Sequence, residues 1–283
     1  MKRIFWGIIF STVAFGSSCD KSKSTDPDPD PVDKQDNTPV VVSTLKVMAY
    51  NIHHCNPPAK ANVIDVNAIV NAINGEKPDI IALQEVDVNT QRSGNMNQAQ
   101  EIAAKLNMPH YFFGKAIDYQ GGEYGVAIIS KYPLTEKVVH RLPTKAGSGG
   151  EARVLATAKA TLPDGTAVRF GSTHLDAQSD PANRELQIAE IQKIATTELL
   201  PFVVAGDFNA VPGSEVINAL DQIFRRTCQT CPPTIPATNP TRVIDFIAYK
   251  HPQNKFSVAS HKVVNEQYAS DHRPIVTVIN IQK

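Results

Sequence analysis

The apolar positions of this chain change period from stretch to stretch, and each change marks an element. From Leu45 to Tyr50 apolar and polar residues alternate, which predicts a strand. Val63, Val66, Ile69, Val70 and Ile73 then fall at three- and four-residue spacing, a helix that Gly75 closes. Behind Pro78, the apolar run Asp79–Gln84 is a strand that ends at Glu85. Asn97–Leu106 reads as a second helix with Ile102, Ala103 and Leu106 inward. Strands follow at His110–Phe113, Tyr124–Ser130, Leu134–Leu142, Ala152–Ala160 and Ala167–Thr173, with Asp164-Gly165 as the hairpin turn between the last two. Ala182–Leu199 is a long amphipathic helix carrying Leu186, Ile188, Ile191, Ile194 and Leu199. Phe202–Ala205 is a short buried strand, Ser214–Leu220 a short helix, and Val243–Tyr249, Phe256–Val264 and Ile275–Ile281 the closing strands. Many hairpin-like strands with a few long helices predict a mixed α/β (α+β) sandwich, two sheets face to face with helices outside.

The ends of these strands share a chemistry. Asn51 follows the first strand, Glu85 the second, and His174 follows Val168–Thr173. Asp207 and Asn209 follow Phe202–Ala205, two residues apart, so in extended geometry they point the same way. Asp245 interrupts the apolar run Val243–Ile247, and Asp271-His272 precedes the last strand. A single such residue is ordinarily a satisfied buried polar group. Six positions gathered at one sheet edge would instead make a pocket of acids, amides and two histidines. Its oxygen donors suit a hard divalent cation, and its histidines suit water activation under carboxylate orientation.

The 283-residue chain also carries an address. Lys2 and Arg3, the apolar stretch Ile4–Phe15 and Gly16-Ser17-Ser18 before Cys19 have the layout of an export signal. Small residues directly before a cysteine resemble a bacterial lipoprotein signal, so residues 1–18 are expected to be removed and Cys19 lipidated; the alternative is a plain secretory signal with Cys19 near the cut. Residues 19–43, with Asp26-Pro27-Asp28-Pro29-Asp30-Pro31, are too polar to fold and are expected to be a solvated tether. The catalytic domain is then 44–283, held at the cell envelope by a membrane anchor and facing the periplasm or the cell surface. Net formal charge is zero for the whole chain, and about +1 for the domain alone. A protein that grips nucleic acid nonspecifically is usually more basic, which weakens a broad nuclease reading. Of the four cysteines, Cys228 and Cys231 are expected to pair as a disulfide, since no second close pair exists to complete a zinc site, and Cys55 reads as a buried thiol.

Six segments carry a family resemblance: Met48-Ala49-Tyr50-Asn51-Ile52, Leu83-Gln84-Glu85-Val86, Ser172-Thr173-His174-Leu175, Gly206-Asp207-Phe208-Asn209-Ala210, Val243-Ile244-Asp245-Phe246-Ile247 and Ser270-Asp271-His272-Arg273-Pro274. In this order they resemble the endonuclease/exonuclease/phosphatase superfamily, which includes deoxyribonucleases, abasic-site endonucleases, sphingomyelinases and inositol-polyphosphate 5-phosphatases. The resemblance covers Leu45 to the C-terminus. It implies a four-layered α/β sandwich and a metal-dependent hydrolase of phosphate esters, with Mg²⁺ as cofactor and Mn²⁺ as a substitute. Carried over residue by residue, it implies Glu85 and Asn51 as metal ligands, with Asp271 sharing that ion or a second one. His272 becomes the general base or water-orienting group, paired with Asp245. Asp207 and Asn209 position water and phosphoryl oxygens, and His174 donates to a non-bridging oxygen. Arg153 and Tyr124 are candidates for facing the phosphate.

The resemblance leaves the ester open: a small molecule, a lipid head group or nucleic acid. Arg92 and Arg242, between motifs, are further candidates for extra phosphates, though each reads first as a solvated charge. The alternatives are an endonuclease or exonuclease, and a non-catalytic surface module that binds phosphorylated ligands. No protein partner is inferred.

Overall fold

The alternation from Leu45 to Tyr50 has two apolar destinations rather than one buried and one wet face. In the computed structural model, which describes residues 41–250 and 255–282, strand β1 (Val41–Asn51) sends Leu45, Val47 and Ala49 into one buried cluster and Met48 and Tyr50 into another. Successive side chains of a strand point to opposite faces, so a strand in a middle layer must be apolar on both. The signal segment, Cys19 and nearly all of the expected tether lie outside the described residues. Residues 41–43, assigned to the tether from composition, already belong to β1.

The described residues hold two six-stranded mixed sheets and four α-helices. One sheet contains β1, β2 (Ile80–Val88), β3 (His110–Tyr119), β4 (Gly122–Ser130), β11 (Phe256–Val263) and β12 (Ile275–Gln282), in the order β11-β12-β1-β2-β4-β3. The other contains β5 (Leu134–Arg141), β6 (Val154–Thr161), β7 (Ala167–His174), β8 (Phe202–Asp207), β9 (Phe224–Arg226) and β10 (Asp245–Lys250), in the order β5-β6-β7-β8-β10-β9. Each sheet has one parallel pair at its centre, β1 with β2 and β7 with β8, and antiparallel neighbours elsewhere. Between the sheets lies a core of Val47, Ala82, Phe170, Val203, Ile247 and Ile279, among others. Helices α1 (Val66–Glu76) and α2 (Gln98–Lys105) cover the first sheet through Ile69, Ile73 and Ile102. Helices α3 (Ala182–Thr197) and α4 (Glu215–Ile223) cover the second through Ile188, Ile191, Val216 and Leu220. The result is the expected four-layered α/β sandwich.

Three local expectations change. Gly75 lies inside α1, and the helix ends at Lys77, whose left-handed backbone (φ 52°) returns its N–H to the Ile73 carbonyl. Strand β2 does not stop at Glu85 but continues to Val88 past a bulge. In α3 the buried face runs through Arg184, Gln187, Ile188, Ile191 and Ala195. Leu186 points outward, and Leu199 lies beyond the helix and is exposed. Strand β9, three residues long, has no signal in the sequence. The Cys228–Cys231 disulfide is formed and Cys55 is a buried free thiol.

Candidate active site

Strand register decides which strand ends meet. The two central parallel pairs stay in register to the last residue of β1 and of β7, so Asn51 pairs with Gln84, and His174 pairs with Asp207. Asp245, the first residue of β10, pairs with Asp207 from the other side. Gly206 makes this approach feasible, because a Cβ there would stand 1.9 Å from the Thr173 carbonyl oxygen. Beneath the site the sheets are tied by Gln84 Nε2 donating to Ser172 Oγ (3.2 Å), whose hydroxyl donates to the Leu83 carbonyl (3.2 Å).

Asp207, Asp245 and His272 are all buried and form one cluster. His272 Nδ1 donates to Asp245 Oδ2 at 2.9 Å, and Thr234 Oγ1 donates to the same oxygen at 2.5 Å. With Nδ1 so used, Nε2 faces Asp207 Oδ2 at 3.6 Å. Burial disfavours the His272 cation, but the Asp245 and Asp207 carboxylates outweigh it and push the imidazole up to about 10. Burial and the facing Asp245 carboxylate push Asp207 up to about 7. A histidine that holds its proton across the neutral range is a charged donor. Of the two roles implied for His272, the raised imidazole favours orienting water.

His174 is the opposite case. Burial and the adjacent Arg153 guanidinium hold it well below the usual range, so it is neutral. Arg153 Nη1 lies 3.3 Å from His174 Nδ1, and a guanidinium can only donate. Nδ1 thus faces a donor, and so does Nε2, which lies 3.1 Å from the Asn209 amide nitrogen as well as 3.6 Å from Asp207 Oδ2. Asn209 stands beside it, its backbone left-handed (φ 47°), its N–H donating to Asp207 Oδ1 (2.8 Å) and its amide nitrogen donating to the Leu175 carbonyl (3.0 Å). Arg153 is buried, 3.0 Å from Glu151 Oε1, and its Nε has no partner. Tyr124, Arg153 and His174 line one narrow cleft. Burial pushes the Tyr124 phenol up, so it stays a hydroxyl donor.

Glu85 reaches the site through the bulge. Gln84 and Glu85 of β2 together oppose the single residue Val126 of β4, and Glu85 has a left-handed backbone (φ 56°). Asn51 Nδ2 donates to Glu85 Oε1 (3.0 Å) and to Asp207 Oδ2 (3.1 Å), while Asn51 Oδ1 accepts the His53 N–H (3.1 Å). In this geometry the Asn51 amide nitrogen ties the two carboxylates together, while its oxygen takes the His53 N–H. Burial alone would raise the Glu85 pKa, but the neighbouring imidazoles and the Asn51 amide outweigh it and hold the carboxyl well below the usual range. A permanently ionised carboxylate fits a divalent cation. So does His54 Nδ1, a buried nitrogen with no hydrogen-bond partner 4.0 Å from Glu85 Oε2. His53 and His54, which directly follow the Asn51 segment, were not singled out as site residues from the sequence. Their adjacency in His53-His54 was the available signal. His53, His54 and Cys55 all have left-handed backbones (φ 45°, 43° and 60°), a run that costs roughly 1–2 kcal/mol per residue for L-amino acids.

The remaining candidates lie apart from these clusters. The Asp271 carboxylate accepts from Ser270 Oγ at 3.3 Å, beside His272 but in neither metal-capable cluster among the described residues. Arg92 is committed elsewhere: Nε and Nη2 donate to the two oxygens of buried Asp87 (2.7 and 2.9 Å), and its guanidinium stacks 4.5 Å from the Tyr119 ring centre. It is a structural residue rather than a phosphate ligand. Arg242 is exposed, and its backbone closes the turn against Thr234 and Ile235.

Comparison with known proteins agrees with this fold. An uncharacterized protein of Escherichia coli, YbhP, is 26% identical over 252 residues, covering 84% of this chain and 97% of its own. Among solved structures, an endonuclease/exonuclease/phosphatase from Beutenbergia cavernae superposes with a TM-score of 0.72 at 23% identity, over 84% of this chain and 72% of that one. A mannosyl-6-phosphatase of Bacteroides thetaiotaomicron superposes with a TM-score of 0.66 at 18% identity, over 83% of this chain and 99% of that one. Residues 48–272, which contain every strand end of the site, match the model of one family, and the chain belongs to that family, the endonuclease/exonuclease/phosphatase family.

Proposed function

We propose that this protein is a divalent-metal-dependent hydrolase of phosphate esters, acting by in-line attack of water on phosphorus at the cell envelope. The observation that carries the reading is the convergence on Asp207 Oδ2. This one carboxylate oxygen has Asn51 Nδ2 at 3.1 Å, His174 Nε2 at 3.6 Å and His272 Nε2 at 3.6 Å. A water accepted by Asp207 and oriented by His272 would have its proton taken by Asp207. The charged His272 and neutral His174 would donate to phosphoryl oxygens as negative charge develops. Arg153, Tyr124 and Asn209 would hold the remaining oxygens. A divalent ion at Glu85 supplies further neutralisation of the phosphate when bound. The reading assigns no covalent nucleophile: water attacks phosphorus directly.

The export signal and Cys19 support an extracytoplasmic substrate. The near-neutral charge favours small phosphate esters over long nucleic acids. One fold neighbour is named as a mannosyl-6-phosphatase, which makes sugar phosphates the first class to try. A panel of phosphomonoesters, phosphodiesters and oligonucleotides, assayed with Mg²⁺ and with Mn²⁺, tests the proposal. Cation-dependent release of phosphate or alcohol is expected. Binding without turnover across the panel would leave a ligand-binding module instead.

A further inference from the structure

We propose that His53, His54 and Glu85 form a two-imidazole, one-carboxylate site for a divalent transition cation such as Mn²⁺ or Zn²⁺, in place of the all-oxygen site that Mg²⁺ takes. The inference deepens the phosphoesterase reading, because Glu85 belongs to the same pocket, and it concerns which ion that pocket selects.

The three side chains each bring one ligand atom to within 4.8 Å of the others, a spread that small side-chain rotations close onto one ion. Their imidazoles meet edge to face with centroids 4.6 Å apart. The His53 Nδ1–H donates to the Asn56 carbonyl at 2.7 Å, which leaves its lone pair on Nε2. Metal-binding histidines are ordinarily held in this way, by a backbone carbonyl on the other ring nitrogen. The His54 nitrogen Nδ1 is buried, lacks a protein partner and faces Glu85 Oε2 at 4.0 Å. A buried nitrogen left without a partner is unusual unless a ligand satisfies it.

The backbone is arranged for the same end. Three consecutive non-glycine residues in left-handed conformation persist only where the surroundings over-determine them. Here Gln98 Nε2 donates to the His54 carbonyl (2.7 Å), the Asp65 N–H donates to the Cys55 carbonyl (2.7 Å), and Asn51 Oδ1 takes the His53 N–H. The turn so pinned places both rings beside Glu85. Meanwhile Asn51 turns a donor, not an oxygen, toward the carboxylate. The donor set here is two imidazoles and one carboxylate, a mixed nitrogen and oxygen set that suits transition cations better than Mg²⁺, which prefers oxygen throughout.

Mn²⁺ bound to the purified full-length protein, read by electron spin-echo spectroscopy, tests the site without reference to turnover. The expected spectrum shows imidazole-type ¹⁴N modulation, and Mg²⁺ displaces the ion only at large excess. His53→Asn and His54→Asn are the variants of choice, because asparagine tolerates a left-handed backbone. Together they should remove the modulation and weaken Mn²⁺ binding about tenfold or more, while Glu85→Gln should abolish binding. Glu85-dependent Mn²⁺ binding without ¹⁴N modulation overturns the inference and leaves the phosphoesterase reading standing. Modulation without turnover on any ester, with any cation, upholds the site and overturns that reading instead. No Mn²⁺ binding overturns the inference. If the double variant does not fold, the single variants His53→Asn and His54→Asn decide, each expected to reduce the modulation, and modulation unchanged in both overturns the inference.

Discussion

Asp245 and Asp207 face each other directly, the first residue of β10 against the last residue of β8. Two carboxylates opposite one another in an antiparallel pair repel. The repulsion is turned to use by His272, whose two nitrogens address the two residues, Nδ1 at 2.9 Å from Asp245 and Nε2 at 3.6 Å from Asp207. One cation between two anions fixes both the ring orientation and the charge that a phosphate would meet.

This arrangement sets the pH dependence of turnover. Asp207 must be ionised to accept a proton, so kcat/KM should rise as the pH passes about 7. It should fall again as His272 loses its proton near 10. The pH–rate profile of His272→Gln should lack the alkaline limb, at a rate lower by about 10²–10⁴-fold. An unchanged alkaline limb in that variant would remove His272 from the charge-stabilising role.

The same groups make stability depend on pH. The folded-state value of His272 is raised from 6.5 to about 10, so its contribution is full below about 6.5 and is lost as the pH rises through 10. Asp207, raised from 3.8 to about 7, behaves likewise: full below about 3.8, lost by about 7. Glu85 is lowered, so its contribution is present above about 4.5 and is lost as the pH falls below that. Urea midpoints at pH 6 and pH 10 should show a larger loss for the wild type than for His272→Gln. Asp207→Asn at pH 8 should be at least as stable as the wild type while turnover disappears.

Gly206→Ala should destabilise without touching a catalytic group. Its Cβ would meet the Thr173 carbonyl oxygen at 1.9 Å, in the parallel ladder where Thr173 pairs with Gly206. The strands must separate, at a cost of about 3 kcal/mol, and Asp207 moves with them. Thermal unfolding should show the lost stability, and kcat should fall further than KM rises.

Arg92 and Arg153 should separate cleanly. Arg92→Ala leaves Asp87 as a buried carboxylate without its guanidinium and should cost about 3 kcal/mol of stability, with KM unchanged in the folded fraction. Arg153→Ala should spare most of the stability and raise KM or lower kcat, since its guanidinium sits in the cleft with His174 and Tyr124. Thermal melts and steady-state kinetics on both variants check the contrast.

The strands and helices were legible because their apolar periods are local properties, and Asn51, His174 and Asp207 were legible as candidates because each closes such a run. The buried face of α3 was not. Periodicity marks Leu186 as inward, but the long stems of Arg184 and Gln187 take the inner face through hydrogen bonds that no local pattern encodes. Strand β9 was invisible because three residues carry no period. Arg92 read as available because its partner, Asp87, lies at the far end of a strand whose continuation past Glu85 depends on a bulge.

The sequence by itself determined the layer plan, since double-faced apolar strands and one-faced helices can bury their surfaces only as sheet on sheet with helices outside, and it determined the chemical inventory of the strand ends. The tertiary structure alone decided how that inventory is wired. Register set Asp207 between His174 and Asp245, and the β2 bulge swung Glu85 toward Asn51. The left-handed turn brought His53 and His54 to the same carboxylate. These are long-range pairings, fixed by how two sheets pack across a shared core, and no window along the chain contains them.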